Sequence, residues 1–280
     1  MDKKKLTRFI IIFAVIFVAL IVGIILTGMT KSGGHEEIGV VMKDSVLHER
    51  YKINLFGLID VNPAVISAFI VSGALIVFAI IVRIFVIPKF KVIPGKFQMV
   101  LEQAVELFAN MAKENSPHCS GFIGGYIFVA GAYICIGTLF ELLGLQATTT
   151  LGTSISLPAP LSDINGAVCM GVLTSLIILG GGIARNGIKG LLKGLKEFSL
   201  PISMSFRLFG ALLSGALVTE LVYHYMAMSF VIPVLVGVLF TLLHALIQAY
   251  VLTTLASTYF GEVTEKTVKV KKEKVKKAKA

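Results

Sequence analysis

Residues 200–260 form one nearly continuous apolar block, interrupted near Ser229 to Pro233, and a single cation, Arg207, stands inside it. No other Lys or Arg occurs between Lys196 and Lys266. Each arm of the block is about 30 residues, or ~45 Å of helix, against a hydrocarbon core of ~30 Å. Helices of that length tilt strongly or bend in a bilayer. A guanidinium placed there costs roughly 2.5–3.5 kcal/mol on insertion scales, so a polar or charged partner should offset it. No acid lies within one turn of Arg207. Its counter-charge must therefore come from another segment or another protein.

The chain of 280 residues is 56% hydrophobic, too apolar to cover itself with polar surface in water. The net charge of +10 would suggest nucleic acid in a soluble protein, but here the basic residues cluster at segment ends and set topology. The expected fold is an all-α polytopic membrane protein. It has about six transmembrane helices, the last two forming a long tilted hairpin, plus an amphipathic cytoplasmic helix. The three cysteines, Cys119, Cys135 and Cys169, have no metal-ligand spacing and read as small apolar fillers.

The first apolar run, Phe9 to Leu26, follows Lys3, Lys4, Lys5 and Arg8 and reads as a span with its N-terminus in the cytoplasm. A signal-like segment that is cleaved is the alternative. Residues 31–62 are mixed in sign and read as an extracytoplasmic segment with short helical pieces. The second span, Pro63 to Ile87, returns to a basic cluster of Arg83, Lys89, Lys91 and Lys96. Phe97, Leu101, Val105, Phe108 and Ala112 recur at helical spacing in a stretch too polar to cross the bilayer. They fit a helix lying on the cytoplasmic side, and an ordinary packing helix equally. The third span is Phe122 to Leu145 and the fourth Ile164 to Ala184. The absence of Lys and Arg between Lys113 and Arg185 puts the intervening loop outside. Six spans with both termini inside satisfy every charge cluster, and the Lys-rich residues 263–280 form a cytoplasmic tail.

Ser203, Arg207, Gly210, Ala211 and Ser214 share one side of the first long arm, a small and polar surface that another helix can approach closely. A carboxylate on that helix would be drawn to the guanidinium and its pKa lowered, forcing release of a bound proton. Glu220 lies thirteen residues beyond Arg207 and faces away from it, while Glu220 and His224 are spaced as a titratable pair. Thr241, His244 and Gln248 share a face of the returning arm. Read singly, these are helix-packing hydrogen bonds; read with a lone intramembrane arginine, they form an ion pathway.

Ser205-Phe206-Arg207-Leu208-Phe209-Gly210 resembles the xRLFGN motif of subunit a of the F-type ATP synthase, with Pro201 six residues before the arginine. Ile247-Gln248-Ala249-Tyr250 resembles that family's LQA(F/Y) signature, Pro94-Gly95-Lys96-Phe97-Gln98 its PGxxQ stretch, and Asp163-Ile164-Asn165 its DxN. The matches fall in the family's order from Pro94 to Gly261. Four positions depart from the pattern. Ala211 replaces the asparagine after RLFG, and Ala216 the channel glutamate, with Glu220 one turn later. Lys193 stands at another family glutamate, with Glu197 one turn closer to the arginine. Thr241 stands at a histidine position, with His244 nearby. The polar lining is thus expected about a turn away from its usual place.

The resemblance implies proton or sodium translocation through two offset half-channels beside a rotating c-ring, coupled to ATP synthesis or hydrolysis by the complex. Arg207 would separate the half-channels, with Gln248 facing it. Asp163, Asn165, Glu220, His224, His244 and Gln248 would serve the outer half-channel, Glu197 and Ser203 the inner one, and Thr241 would belong to the ion pathway. It also implies a c-ring and peripheral-stalk b subunits as partners in the plasma membrane, with no cofactor and no catalysis by this subunit alone. Residues 1–30 would be an N-terminal span, 31–62 an outer segment and 63–262 the ion-translocating domain. The competing class is a transporter or channel without a rotor, which predicts an internal repeat and a broken-helix site; no convincing repeat is visible. A membrane enzyme lacks a phosphate-binding glycine motif, a metal-ligand run or a nucleophile elbow. Gly180-Gly181-Gly182 fits close helix packing.

Overall fold

A computed structural model describes residues 52–265 except 56–58, 149, 151, 153, 197–198 and 225–231, together with residues 15, 18, 19, 21, 22 and 39. The first apolar run and the tail from Lys266 onward therefore lie outside the described residues, five isolated positions of the run apart. Seven α-helices are described: α1 (Pro63–Ile81), α2 (Lys96–Asn115), α3 (Ser120–Phe140), α4 (Ile164–Asn186), α5 (Ile188–Lys196), α6 (Ser199–His224) and α7 (Ile232–Thr264). Two short hairpins, β1 (Ile53–Leu55) with β2 (Ile59–Val61) and β3 (Gln146–Thr148) with β4 (Ser154–Ser156), are antiparallel. Five stretches are long and apolar enough to cross a membrane: Pro63–Lys89, Ser120–Leu143, Ile164–Asn186, Ser199–Thr219 and Val234–Thr264. The chain is an all-α polytopic membrane protein.

Local chemistry places the helix ends. Asn62 caps α1, its side chain accepting from the Ala64 amide at 3.0 Å, and Pro63 follows where a missing N–H costs nothing. Beyond α1 the helix loosens into a π turn over Val82–Val86 and a 3-10 turn over Ile87–Lys89 before Pro94. Gly187 joins α4 to α5 with φ +58°, a left-handed conformation that glycine adopts without steric cost.

Small residues let the helices approach. A methyl on Gly171 of α4 would meet the Pro201 carbonyl at 2.8 Å, and on Gly181 the ring of Phe260 from α7. On Gly182 it would meet Val263. The Gly180-Gly181-Gly182 run is thus a packing surface at its second and third positions, while Gly180 faces open space. The core has a central layer, including Ala130, Ile134, Met170, Leu208, Leu212, Ala249 and Leu252. A second layer at the basic end holds Ala112, Ile123, Ile178, Met204, Phe260 and Val263. At the opposite end Ile53, Val71, Phe140 and Leu157 form a third, into which both hairpins pack.

One expectation needs amending, and two stretches gain detail. Between residues 52 and 61 the chain forms a hairpin rather than a helical piece, while residue 39, described on its own, is helical: Ile53 is buried, and Asn54 donates to Asp60 across the pair at 3.0 Å. The amphipathic stretch Phe97 to Ala112 is helical as α2, but its apolar stripe is divided. Phe108 packs edge-on against Phe128 and Ala112 is buried, while Phe97 and Val105 are exposed. The basic stretch Lys189 to Lys196 forms a helix of its own, α5, which packs on α4.

Candidate functional site

Helix α6 divides its residues by face. Leu200, Met204, Ser205, Leu208 and Leu212 are buried, and Ser205 donates to the Pro201 carbonyl at 2.7 Å, which removes its hydroxyl from the apolar interior. Ser203, Phe206, Arg207, Gly210 and Ser214 are exposed, with Ala211 half-buried at the edge of their stripe. A methyl added to Gly210 would touch nothing within 4 Å. Arg207 therefore projects from a shallow, small-residue surface, and its guanidinium has no ion pair among the described residues.

Helix α7 runs back along α6. Gly215 of α6 faces His244 of α7, since a methyl there would lie 3.6 Å from Nδ1. Leu208 and Leu212 share a core layer with Ala249 and Leu252. Stepping one turn at a time from the Gly215–His244 contact brings Gln248 to the level of Ala211, one turn from Arg207. Thr241 and His244 are half-buried and Gln248 is 8% exposed, whereas Leu242, Leu243, Leu246 and Ile247 between them are exposed. His244 is flanked by Phe240, ring centroids 5.8 Å apart. The Gln248 Oε1 atom is buried with no hydrogen-bond donor among the described residues. Leaving a buried amide oxygen unpaired is costly, on the order of 1–3 kcal/mol.

The other expected site residues lie elsewhere. Asp163 is the N-cap of α4, accepting from the Asn165 amide at 3.1 Å and from its Nδ2 at 3.3 Å. Those contacts are those of a helix cap. Glu220 and His224 are placed on the backbone of α6, but their side chains lie outside the described residues, as does all of Glu197. The structure thus brings Arg207, Thr241, His244 and Gln248 to one helix pair, and it keeps Asp163 and Asn165 at the start of another helix. No group of three or more His, Cys, Asp or Glu side chains among the described residues is arranged to hold a metal.

Residue-type reasoning missed a second arginine, half-buried with its Nε atom enclosed. Arg185 of α4 donates from Nη1 to the His118 carbonyl and to Cys119 Sγ, both at 3.1 Å, and its Nε is buried without an acceptor among the described residues. His118 Nε2 lies 2.8 Å from Thr264 Oγ1 at the end of α7. Asn186 Nδ2 donates to the Val263 and Glu265 carbonyls, each at 2.9 Å, and Lys193 Nζ to the latter at 3.2 Å. Side chains of α4 and α5 thereby pair the Val263 carbonyl in the last turn of α7 and the Glu265 carbonyl just beyond it. The basic cluster between Arg185 and Lys196 was legible only as a topology signal, because its partners are 66 to 79 residues away in sequence.

Over 121 residues the chain is 36% identical to the ATP synthase subunit a, chloroplastic, of Bigelowiella natans, a match covering 39% of this chain and 48% of that protein. The chain thus spans about half the length of the curated relative it matches. Residues 65–261, which run from the first turn of α1 almost to the end of α7, match the family model of the ATP synthase A chain, and the chain belongs to that family.

Proposed function

We propose that this chain is the ion-conducting stator subunit of a rotary ATP synthase, passing protons or sodium ions through two half-channels offset across the face of α6 and α7. The observation that carries the reading is Arg207. It is exposed on a polar, small-residue stripe of an otherwise apolar helix, and no described acid of its own chain neutralises it. In hydrocarbon such a charge requires a partner. A carboxylate carried past the stripe on a turning c-ring supplies one that comes and goes.

Each arriving carboxylate is drawn into its charged state by the guanidinium and so loses its ion to the inner half-channel. The same fixed charge blocks direct leakage from one half-channel to the other. Gln248, one turn away with an unpaired amide oxygen, offers an acceptor to the guanidinium and would hold its plane against α7. His244 and Thr241, on the same face, line the outer access together with Glu220 and His224. Asp163 and Asn165 stand at its mouth, and Ser203 with Glu197 serves the inner route. Moving one charge through 100 mV supplies ~2.3 kcal/mol, so several ions must be coupled to each ATP. A rotor performs that addition.

On this reading the chain is a component of the translocating complex and makes no ATP by itself. Residues 63–262 are the ion-translocating unit, and 1–30, 31–62 and 263–280 are an N-terminal span, an outer segment and a cytoplasmic tail. The c-ring and peripheral-stalk b subunits are its partners in the cell membrane. The test is Arg207→Ala in the assembled complex. Ion-driven ATP synthesis should be abolished while the subunit still copurifies with the ring, and normal synthesis would refute the role.

A further inference from the structure

Two cavities of about 220 Å³ each adjoin at the basic end of the bundle and share Val263 as a wall. One is lined by Lys193, Lys196 and Glu262 besides Val263. The other runs between α4, α5, α6 and α7 and is almost wholly apolar, with Leu176, Leu179, Leu195, Leu200 and Tyr259 in its lining. Helix α5 stands between them and carries three stripes at helical spacing. Gly190 and Gly194 are buried against α4, where a methyl on Gly194 would run into Leu179. Ile188 and Leu192 are exposed and face outward, and Leu195, also exposed, reaches the rim of the apolar cavity. Lys189, Lys193 and Lys196 form the third stripe, and α5 contains no acid.

This is the pattern of a helix lying at a membrane surface, its leucines in the acyl region and its lysines at headgroup level. We propose that the paired cavities are one site for an anionic phospholipid of the leaflet at the lysine-bearing end. An acyl chain fills the apolar cavity and the phosphate lies between Lys193 and Lys196. A free anion would leave the apolar cavity empty, and a zwitterionic lipid would leave the excess of two lysines over the single Glu262 unmatched. Lys193 gives one of its three donors to the Glu265 carbonyl, which leaves two for the phosphate. The far wall of the apolar cavity includes Leu200 and Pro201 at the start of α6, so a bound chain braces the helix two turns ahead of Arg207.

The test uses the full chain reconstituted into phosphatidylcholine vesicles containing phosphatidylglycerol as the minor lipid. The protein is re-extracted in mild detergent, and the lipid retained by each variant is measured by mass spectrometry. The unsubstituted chain should enrich phosphatidylglycerol over its share of the vesicle. Lys196→Gln should lower that retention about fivefold, and Lys193→Gln with Lys196→Gln further, since each surface lysine contributes ~1 kcal/mol toward anionic lipid. The double Lys→Arg variant keeps the charge and should retain the lipid. Leu176→Trp, at an exposed position on the cavity wall, should reduce retention by filling the space. Equal retention in the double Gln variant would overturn the proposal, as would phosphatidylcholine held as well as phosphatidylglycerol, or loss in the Arg variant as great as in the Gln variant.

Discussion

Gln248 and two glycines show how a single position in this bundle can separate stability from function. The Gln248 amide oxygen is buried without a donor among the described residues, so in the isolated chain it is a cost rather than a contact. Gln248→Leu is therefore expected to leave the Tm of the isolated chain unchanged or raise it, while lowering ion-driven ATP synthesis in the complex. A fall in Tm with synthesis intact would place the amide in the packing instead. Gly182 and Gly210 make the complementary pair. A methyl on Gly182 runs into Val263 and lies 3.2 Å from the Gly190 carbonyl, whereas Gly210 has open space. Gly182→Ala should destabilise the chain by about 1–3 kcal/mol, the usual cost of overpacking, read as a lower Tm in detergent. Gly210→Leu should leave that Tm unchanged but, on the proposed function, impair synthesis by holding a passing ring helix away from Arg207. The arginine and the small residues around it could be read from the sequence because their cost in hydrocarbon depends on residue type alone. The unpaired amide of Gln248 could not, because burial of one atom depends on which helix lies over it.

Helix α7, 33 residues and ~50 Å long, outlasts the hydrocarbon core, so its last turns end at the basic surface among α2, α4 and α5. There carbonyls in and just past its last two turns are met by side chains of other helices. Asn186 spans the Val263 and Glu265 carbonyls, and the Ser116 hydroxyl donates to the Ser257 carbonyl at 2.8 Å. Asn186→Ala removes two of these bonds at once and should cost about 1–3 kcal/mol, seen as a lower Tm and as earlier proteolysis at the end of α7. Asn186→Asp cannot donate and should behave in the same way. The long apolar helices were evident from their composition. Helix α5 was not, because two glycines in nine residues lower its propensity, and the same glycines let it lie against α4. The hairpins were missed for a related reason: strands of three residues carry too little alternation to be recognised, and packing on Val71 and Phe140 holds them.

For the whole molecule, the charge clusters of the sequence predict that the N-terminus and the Lys-rich tail lie on one side of the membrane and the loop between β3 and β4 on the other. Reporter fusions at the two termini should both be active in the cytoplasm, and a cysteine at Thr150 in the loop between β3 and β4 should be labelled from outside; opposite results at the two termini would remove one span. By itself the sequence determined that this chain lives in a bilayer, roughly where it crosses, and that one arginine is set where no local acid can neutralise it. These follow from transfer free energies, which each segment carries whatever its neighbours are. Only the tertiary structure decided which face of α6 is covered and which is open, that Gly215 admits His244 and sets Gln248 one turn from Arg207, and that Asn186 and Lys193 close the end of α7. Those outcomes depend on contacts between segments far apart in the chain, and close packing resolves them through the shapes of particular side chains rather than through their polarity.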